Sequence, residues 1–185
     1  METSEGTPSA GPSALERAVR ELEQHVAGGG WDGPVRLFAL IRTGAALERD
    51  PALAATLPAE VVQAAREDAD HLTAVEQEGL PDSPSLESLL GRIAWPPTVD
   101  GAALVVERIV VPPEAETNLP EDPEQAQAAL LNHPLRQDLR LAAGVLRDGG
   151  RMCAIRSRGH DSDDQVAVGP DLIPGLTEAL AQTLD

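Results

Sequence analysis

Leu15, Val19, Leu22 and Val26 recur at the three- and four-residue spacing that lines one face of a helix. Ser13-Ala-Leu-Glu16 precedes them with the spacing of a capping box, the serine capping the helix while the glutamate reaches back. Gly28-Gly29-Gly30 stops this helix, because three glycines lose too much backbone entropy to continue it. Residues 1–12 are Ser, Gly, Pro, Thr and Glu around little else. They read as a disordered tail, which leaves 13–185 as a single domain.

Trp31-Asp32-Gly33-Pro34 reads as a turn, and the apolar run Val35 to Ile41 after it as a buried strand. Thr43 to Asp70 is Ala-rich and helical in character, with Pro51 and Pro58 at first helical positions. A short strand is expected over Leu72 to Gln77 and a small helix over Ser85 to Ile93. Ala102 to Val111 is the clearest strand, ended by Pro112-Pro113, which cannot donate to a ladder. Glu124 to Leu131 reads as a helix.

Leu139 to Arg147, Asp148-Gly149-Gly150 and Arg151 to Arg158 form the best local signal, a β-hairpin. A three-residue loop over 148–150 would set Val145 opposite Cys153, Ala143 opposite Ile155 and Arg140 near Arg158. Leu172, Leu176, Leu180 and Leu184 mark a last amphipathic helix. Hairpin and meander connections then predict an α+β domain. Its sheet should be mainly antiparallel, of about five strands, with helices packed on one face and amphipathic helices at both ends. That order of elements is similar to the small secretion-chaperone fold, a likeness that carries no function by itself.

Trp31-Asp-Gly-Pro-Val-Arg-Leu-Phe-Ala-Leu40 resembles a small actinobacterial family of uncharacterised proteins. The resemblance continues at Ile93-Ala-Trp-Pro96, Val106-Glu-Arg108, Val145-Leu-Arg-Asp-Gly149 and Gly169-Pro-Asp-Leu-Ile-Pro-Gly-Leu176, with 59–70 reading as an insertion. It implies a cytoplasmic bacterial protein, with no established activity, cofactor or catalytic residue to carry over.

Charge narrows the function classes. Asp and Glu number 31 against 14 basic residues, all arginine, giving a net charge of −17. Such a field repels phosphate backbones, so no nucleic-acid partner is expected. The single Cys153 excludes an internal disulfide and any multi-cysteine metal site. The first residues carry no basic region followed by an apolar run, and no stretch is long and apolar enough to span a bilayer. No membrane association is expected, and the cytoplasm is the expected location.

The chemistry-bearing residues make no familiar constellation. His25, His71, His133 and His160 share no metal-pair spacing. His160-Asp161-Ser162-Asp163-Asp164 lacks the central glycine and terminal glutamate of a calcium loop. Cys153 falls at a core-facing strand position where a thiol is inert. No cofactor and no metal are expected.

Against the acidic background, Arg136, Arg140, Arg147, Arg151, Arg156 and Arg158 crowd into 23 residues holding only Asp138 and Asp148 as acids. Such a face is either ordinary solvated sheet or a dock for a carboxylate-bearing partner, which planar guanidinium groups suit. Arg140, Arg156, Arg158 and Arg147 are therefore the candidate partner-binding residues. Trp31 and Trp95 join them, both in proline-bounded turns where tryptophan either seals the core or anchors an interface. The leading expectation is a non-catalytic protein-binding or chaperone-like module, expected to be dimeric. The alternatives are a small hydrolase-like enzyme or a small-ligand sensor whose site assembles only in three dimensions.

Overall fold

Ser13 caps α1 (Ala14–Ala27), its hydroxyl accepting the Glu16 N–H at 3.1 Å. Glu16 does not reach back as a capping box would; its carboxylate turns to Arg20, one turn on, at 2.9 Å. The computed structural model describes residues 11–185, so the tail expected at 1–12 lies outside the described residues apart from Gly11 and Pro12. After α1 come β1 (Arg36–Arg42), α2 (Thr43–Arg49), a 3-10 turn, α3 (Ala59–Glu67), β2 (Leu72–Glu76) and α4 (Leu86–Leu90). Then follow β3 (Gly101–Val110), α5 (Pro113–Thr117), α6 (Pro123–Leu131), β4 (Gln137–Leu146), β5 (Arg151–Ser157), β6 (Ala167–Gly169) and α7 (Pro174–Gln182).

The strands make one antiparallel sheet in the order β2-β1-β3-β4-β5-β6, which is the α+β class read from the sequence. β6 is the strand beyond the expected five. It is three residues long, too short for alternation to register.

Helices cover both faces rather than one. α1 buries Leu15, Ala18, Val19 and Leu22 against Phe38, Leu40, Ala103, Val105, Ala142 and Ala154 on the first face. On the second face, Leu180 and Leu184 at the C-terminal end pack with Leu37, Leu104, Ala143, Val145 and Cys153. The physical reason is visible in β3, whose first six residues are all buried. A strand apolar at both parities needs cover on both sides. Gly144 sets how closely α1 sits, since a Cβ there would lie 2.7 Å from Val19 Cγ2.

The hairpin register also differs from expectation. Ala143 pairs with Cys153, Val145 with Arg151 and Arg140 with Arg156. The loop is Arg147-Asp148-Gly149, closed by the Leu146 N–H donating to Gly150 O at 2.9 Å, with Gly149 at φ 95°. Glycine takes that left-handed conformation without a Cβ penalty, and this placement moves the pairing by two residues. A shift of two keeps every side chain on its face, so Cys153 stays in the core. At the C-terminus Leu180 and Leu184 are buried, Leu176 is half-buried, and Leu172 lies ahead of α7, exposed.

Candidate functional site

Arg140 and Arg156 do not form a solvent face. They stand opposite each other on β4 and β5, 0% and 2% exposed, beneath the C-terminal half of α1. Glu23 comes down from α1, 1% exposed, and accepts from Arg156 Nε at 2.6 Å and Nη2 at 2.9 Å. Arg156 also donates to Asp161 at 3.2 Å and to Asp163, so the acidic loop serves as its outer cover. These bonds, Glu23 first, raise the Arg156 pKa above the ordinary guanidinium value. Arg140 donates to Gly30 O and to Glu107 at 3.3 Å, while its Nε and Nη1 have no hydrogen-bond partner among the described residues. The expectation of a water-facing arginine surface is corrected for this pair, because α1 covers that face of the sheet and brings its own carboxylate.

Trp31 roofs the cluster, its ring 4.3 Å from the Arg140 guanidinium carbon and 5.6 Å from that of Arg158. Its indole N–H donates to Asp161 at 3.0 Å and, ahead of Arg156, holds that carboxyl below the usual range. Asp32 sits at φ 67°, a left-handed conformation that aspartate tolerates better than most residues. Its N–H donates to both Glu107 oxygens, at 3.1 and 2.9 Å, and its carboxylate accepts two bonds from the surface Arg158, at 3.0 and 3.2 Å. Trp31, Arg108, Ile109, Leu131, Arg136 and Arg158 line a cleft of about 220 Å³ beside it, where Asp32, Glu107 and Asp138 balance the three arginines.

Arg147 is a clamp. It donates to the carbonyls of Val99 at 2.7 Å, Pro96 at 3.2 Å and Leu184, tying the C-terminal end to the approach to β3. Trp95 donates its indole N–H to Thr183 Oγ1 at 2.9 Å and packs at the margin of the second core cluster, sealing it.

The sequence reading missed a second site at the opposite edge of the sheet. Among the described residues β2 pairs only with β1. Thr43 N–H donates to His71 O at 2.9 Å and Gln77 N–H to Leu37 O at 2.8 Å, which fixes the phase of the ladder. Odd-numbered residues of β2 therefore direct their backbone groups toward β1, and Leu72, Ala74 and Glu76 direct theirs outward. The side chains of those same three residues share the face that carries α1. A cleft of about 370 Å³ opens there, walled by Ala18, Leu22, Phe38, Val61, Leu72 and Ala74, with Glu21, His25 and Glu76 supplying charge and polarity. Arg36 holds Glu76 through two bonds, at 2.6 and 2.7 Å, and keeps its carboxyl below the usual range. The signal that could have found this edge is Leu72 to Glu76 itself, a strand followed by Gly79 and prolines with no second pairing segment nearby.

Thr43 anchors this edge strand, its hydroxyl within 2.8 Å of His71 Nδ1 and 2.7 Å of Thr73 Oγ1. A hydroxyl bonded to imidazole is the pairing that nucleophilic sites use, but Thr43 is 1% exposed and no substrate reaches it. Burial likewise raises the Cys153 pKa and keeps the thiol inert. Among the described residues no group of three or more His, Cys, Asp or Glu is placed to hold a metal ion. No helix among them is long and apolar enough to cross a membrane.

No curated protein and no solved structure matches the chain. A family model described as PPA1309-like protein matches residues 15–185, and the chain belongs to that family.

Proposed function

We propose that this member of the PPA1309-like family is a non-catalytic protein-binding module that takes an extended segment of its partner as an added strand along β2. The observation that supports it is the outward backbone of Leu72, Ala74 and Glu76 lying beside an apolar cleft. Main-chain hydrogen bonds along an open edge supply affinity, and a neighbouring pocket reads alternate side chains. Most proteins blunt such an edge; β2 carries a charge only at its last residue. A chaperone-like role follows the same physics, because exposed strands of unfolded clients fit the same edge.

The cleft volume favours a second reading, a small-ligand sensor, since about 370 Å³ falls within the range of small-molecule sites. One substitution separates the two. Ala74→Pro removes the central outward N–H without touching the β1 ladder, and edge positions of this phase accept proline. Strand addition predicts that Ala74→Pro folds and no longer enriches peptides from a displayed random library that the parent enriches. Equal enrichment by both proteins overturns the proposal.

A further inference from the structure

Five carboxylates border the open edge: Glu21 on α1, Glu67 and Asp68 at the end of α3, Asp70 in the following turn, and Glu76 on β2. Two arginines face them and both are engaged, Arg17 with Asp68 and Arg36 with Glu76. Glu21 is exposed and has no hydrogen-bond or ion-pair partner among the described residues, nor does the Asp70 carboxylate. Between Glu21 and Glu76 the cleft walls are mostly apolar, while Glu67, Asp68 and Asp70 line an adjoining recess that shares His71 with the cleft. The rest of the protein adds to the local field, with a net charge of −17. Phe38 floors the cleft with its ring already carrying the Arg36 guanidinium at 5.7 Å, so the surface accommodates a cation over apolar carbon.

From this we infer that the segment taken up on β2 is basic: an extended stretch of partner protein with apolar side chains at alternate positions and arginine or lysine beside them. The inference rests on the strand-addition reading and adds the partner's chemistry to it. β2 spans five residues, about 17 Å of extended chain, so the recognised stretch is of that length. Alternate side chains of an added strand point to the face that carries α1 and enter the cleft. Long basic side chains lie along its apolar wall with their heads at Glu21. A second copy of this chain is the less favoured occupant, since its own β2 would bring the same carboxylates against these. Residues 1–10 are less favoured too, because they carry Glu2 and Glu5 and no arginine.

The test uses the full chain and a displayed library of random seven-residue peptides, followed by fluorescence anisotropy on a labelled winner. Enriched sequences are expected to alternate apolar residues with arginine or lysine. Glu21→Lys, which disturbs no internal contact, should bind the winner about fivefold or more weakly. Raising salt should weaken parent binding, because exposed ion pairs are screened. Enrichment lost in Ala74→Pro but without basic bias leaves strand addition standing and overturns the basic partner. No enrichment beyond that of Ala74→Pro overturns both. A parent that sediments as a dimer while Ala74→Pro is monomeric assigns the edge to a second copy. Tighter peptide binding on deletion of residues 1–10 assigns it to the chain's own end, and either result overturns the inference.

Discussion

Arg156 on β5 and Glu23 on α1 face each other in parallel, two N–H···O bonds of 2.6 and 2.9 Å between side chains that are 3% and 1% exposed. The pair fastens the first helix to β5 on the face of the sheet that it covers, 133 residues away in sequence. Both charges have left water, so the attraction between them is offset by a desolvation cost of several kcal/mol per ion.

That balance gives the first prediction. Removing one partner strands the other, so Glu23→Ala and Arg156→Ala should each lower unfolding free energy by about 3–5 kcal/mol. Replacing both, as Glu23→Leu with Arg156→Met, should recover part of the loss, because an apolar pair of similar volume has no charge to desolvate, while buried Arg140, 3.9 Å from Glu23, still loses that carboxylate. Urea titrations of the three variants check it. Equal loss in the double variant would mean that the helix is positioned by this pair and by little else.

The second prediction concerns acid. Asp161 and Asp32 are held below their ordinary value of 3.8, the first chiefly by the Trp31 N–H and the second chiefly by Arg158. A carboxyl depressed in the folded state contributes stability that is fully present above its unfolded pKa. That contribution is lost as pH falls through the lower folded value. Trp31 emission, read in a Trp95→Phe background, should therefore stay constant on acidification until pH passes below 3.8. In Asp161→Asn this step should shrink. A transition centred well above that pH would show that the indole is not held by Asp161.

Gly144 carries the third. A methyl there meets Val19 Cγ2 at 2.7 Å and Leu15 Cδ1 at 3.1 Å, both on the buried face of α1. Gly144→Ala should cost about 1–3 kcal/mol by overpacking, even though alanine suits a strand at least as well as glycine. Combining it with Val19→Ala should relieve part of that cost, a non-additivity that a double-mutant cycle in urea would measure.

Much of this fold was legible because local signals agreed with tertiary need. The capping serine, the triple-glycine stop, the strand before Pro112-Pro113 and the hairpin each follow from residues close in sequence. What escaped was set by distance along the chain. Glu23 reads as the polar side of α1, and nothing near it announces an arginine on β5. Arg140 and Arg156 read as the water side of alternating strands because the cover over them comes from α1. A continuous apolar run such as Ala102 to Val106 was the available clue that both faces are covered. The open edge of β2 escaped for a different reason, since the break after Glu76 at Gly79 and the prolines was its one local clue. Which strand lacks a second neighbour depends on the pairing of all the others.

Arg147 supports the last prediction, since here the sequence suggested a partner surface and the structure puts the guanidinium on four carbonyls. Its Nε donates to Val99 O at 2.7 Å, Nη2 to Pro96 O at 3.2 Å and to Trp95 O at 3.4 Å, and Nη1 to Leu184 O beyond the last turn of α7. Those acceptors come from two segments, the approach to β3 and the C-terminal end, which only a planar fork with several fixed donors can hold together. The cation also lies at the end of a helix where unpaired carbonyls concentrate negative charge. Lysine keeps the charge but offers one tetrahedral head, so it can satisfy one segment and release the other. Arg147→Lys should thus cost about 1.5–3 kcal/mol, the worth of a hydrogen bond to a charged group, despite its conservative appearance. Hydrogen exchange should locate the loss: amides of Thr183 and Leu184 should exchange faster while those in the centre of β4 keep their protection. The Trp95 indole, bonded to Thr183 Oγ1, should move to a more exposed emission at the same time. If Arg147→Lys melts with the parent and neither signal changes, the clamp holds nothing, and α7 is kept in place by Leu180 and Leu184 alone.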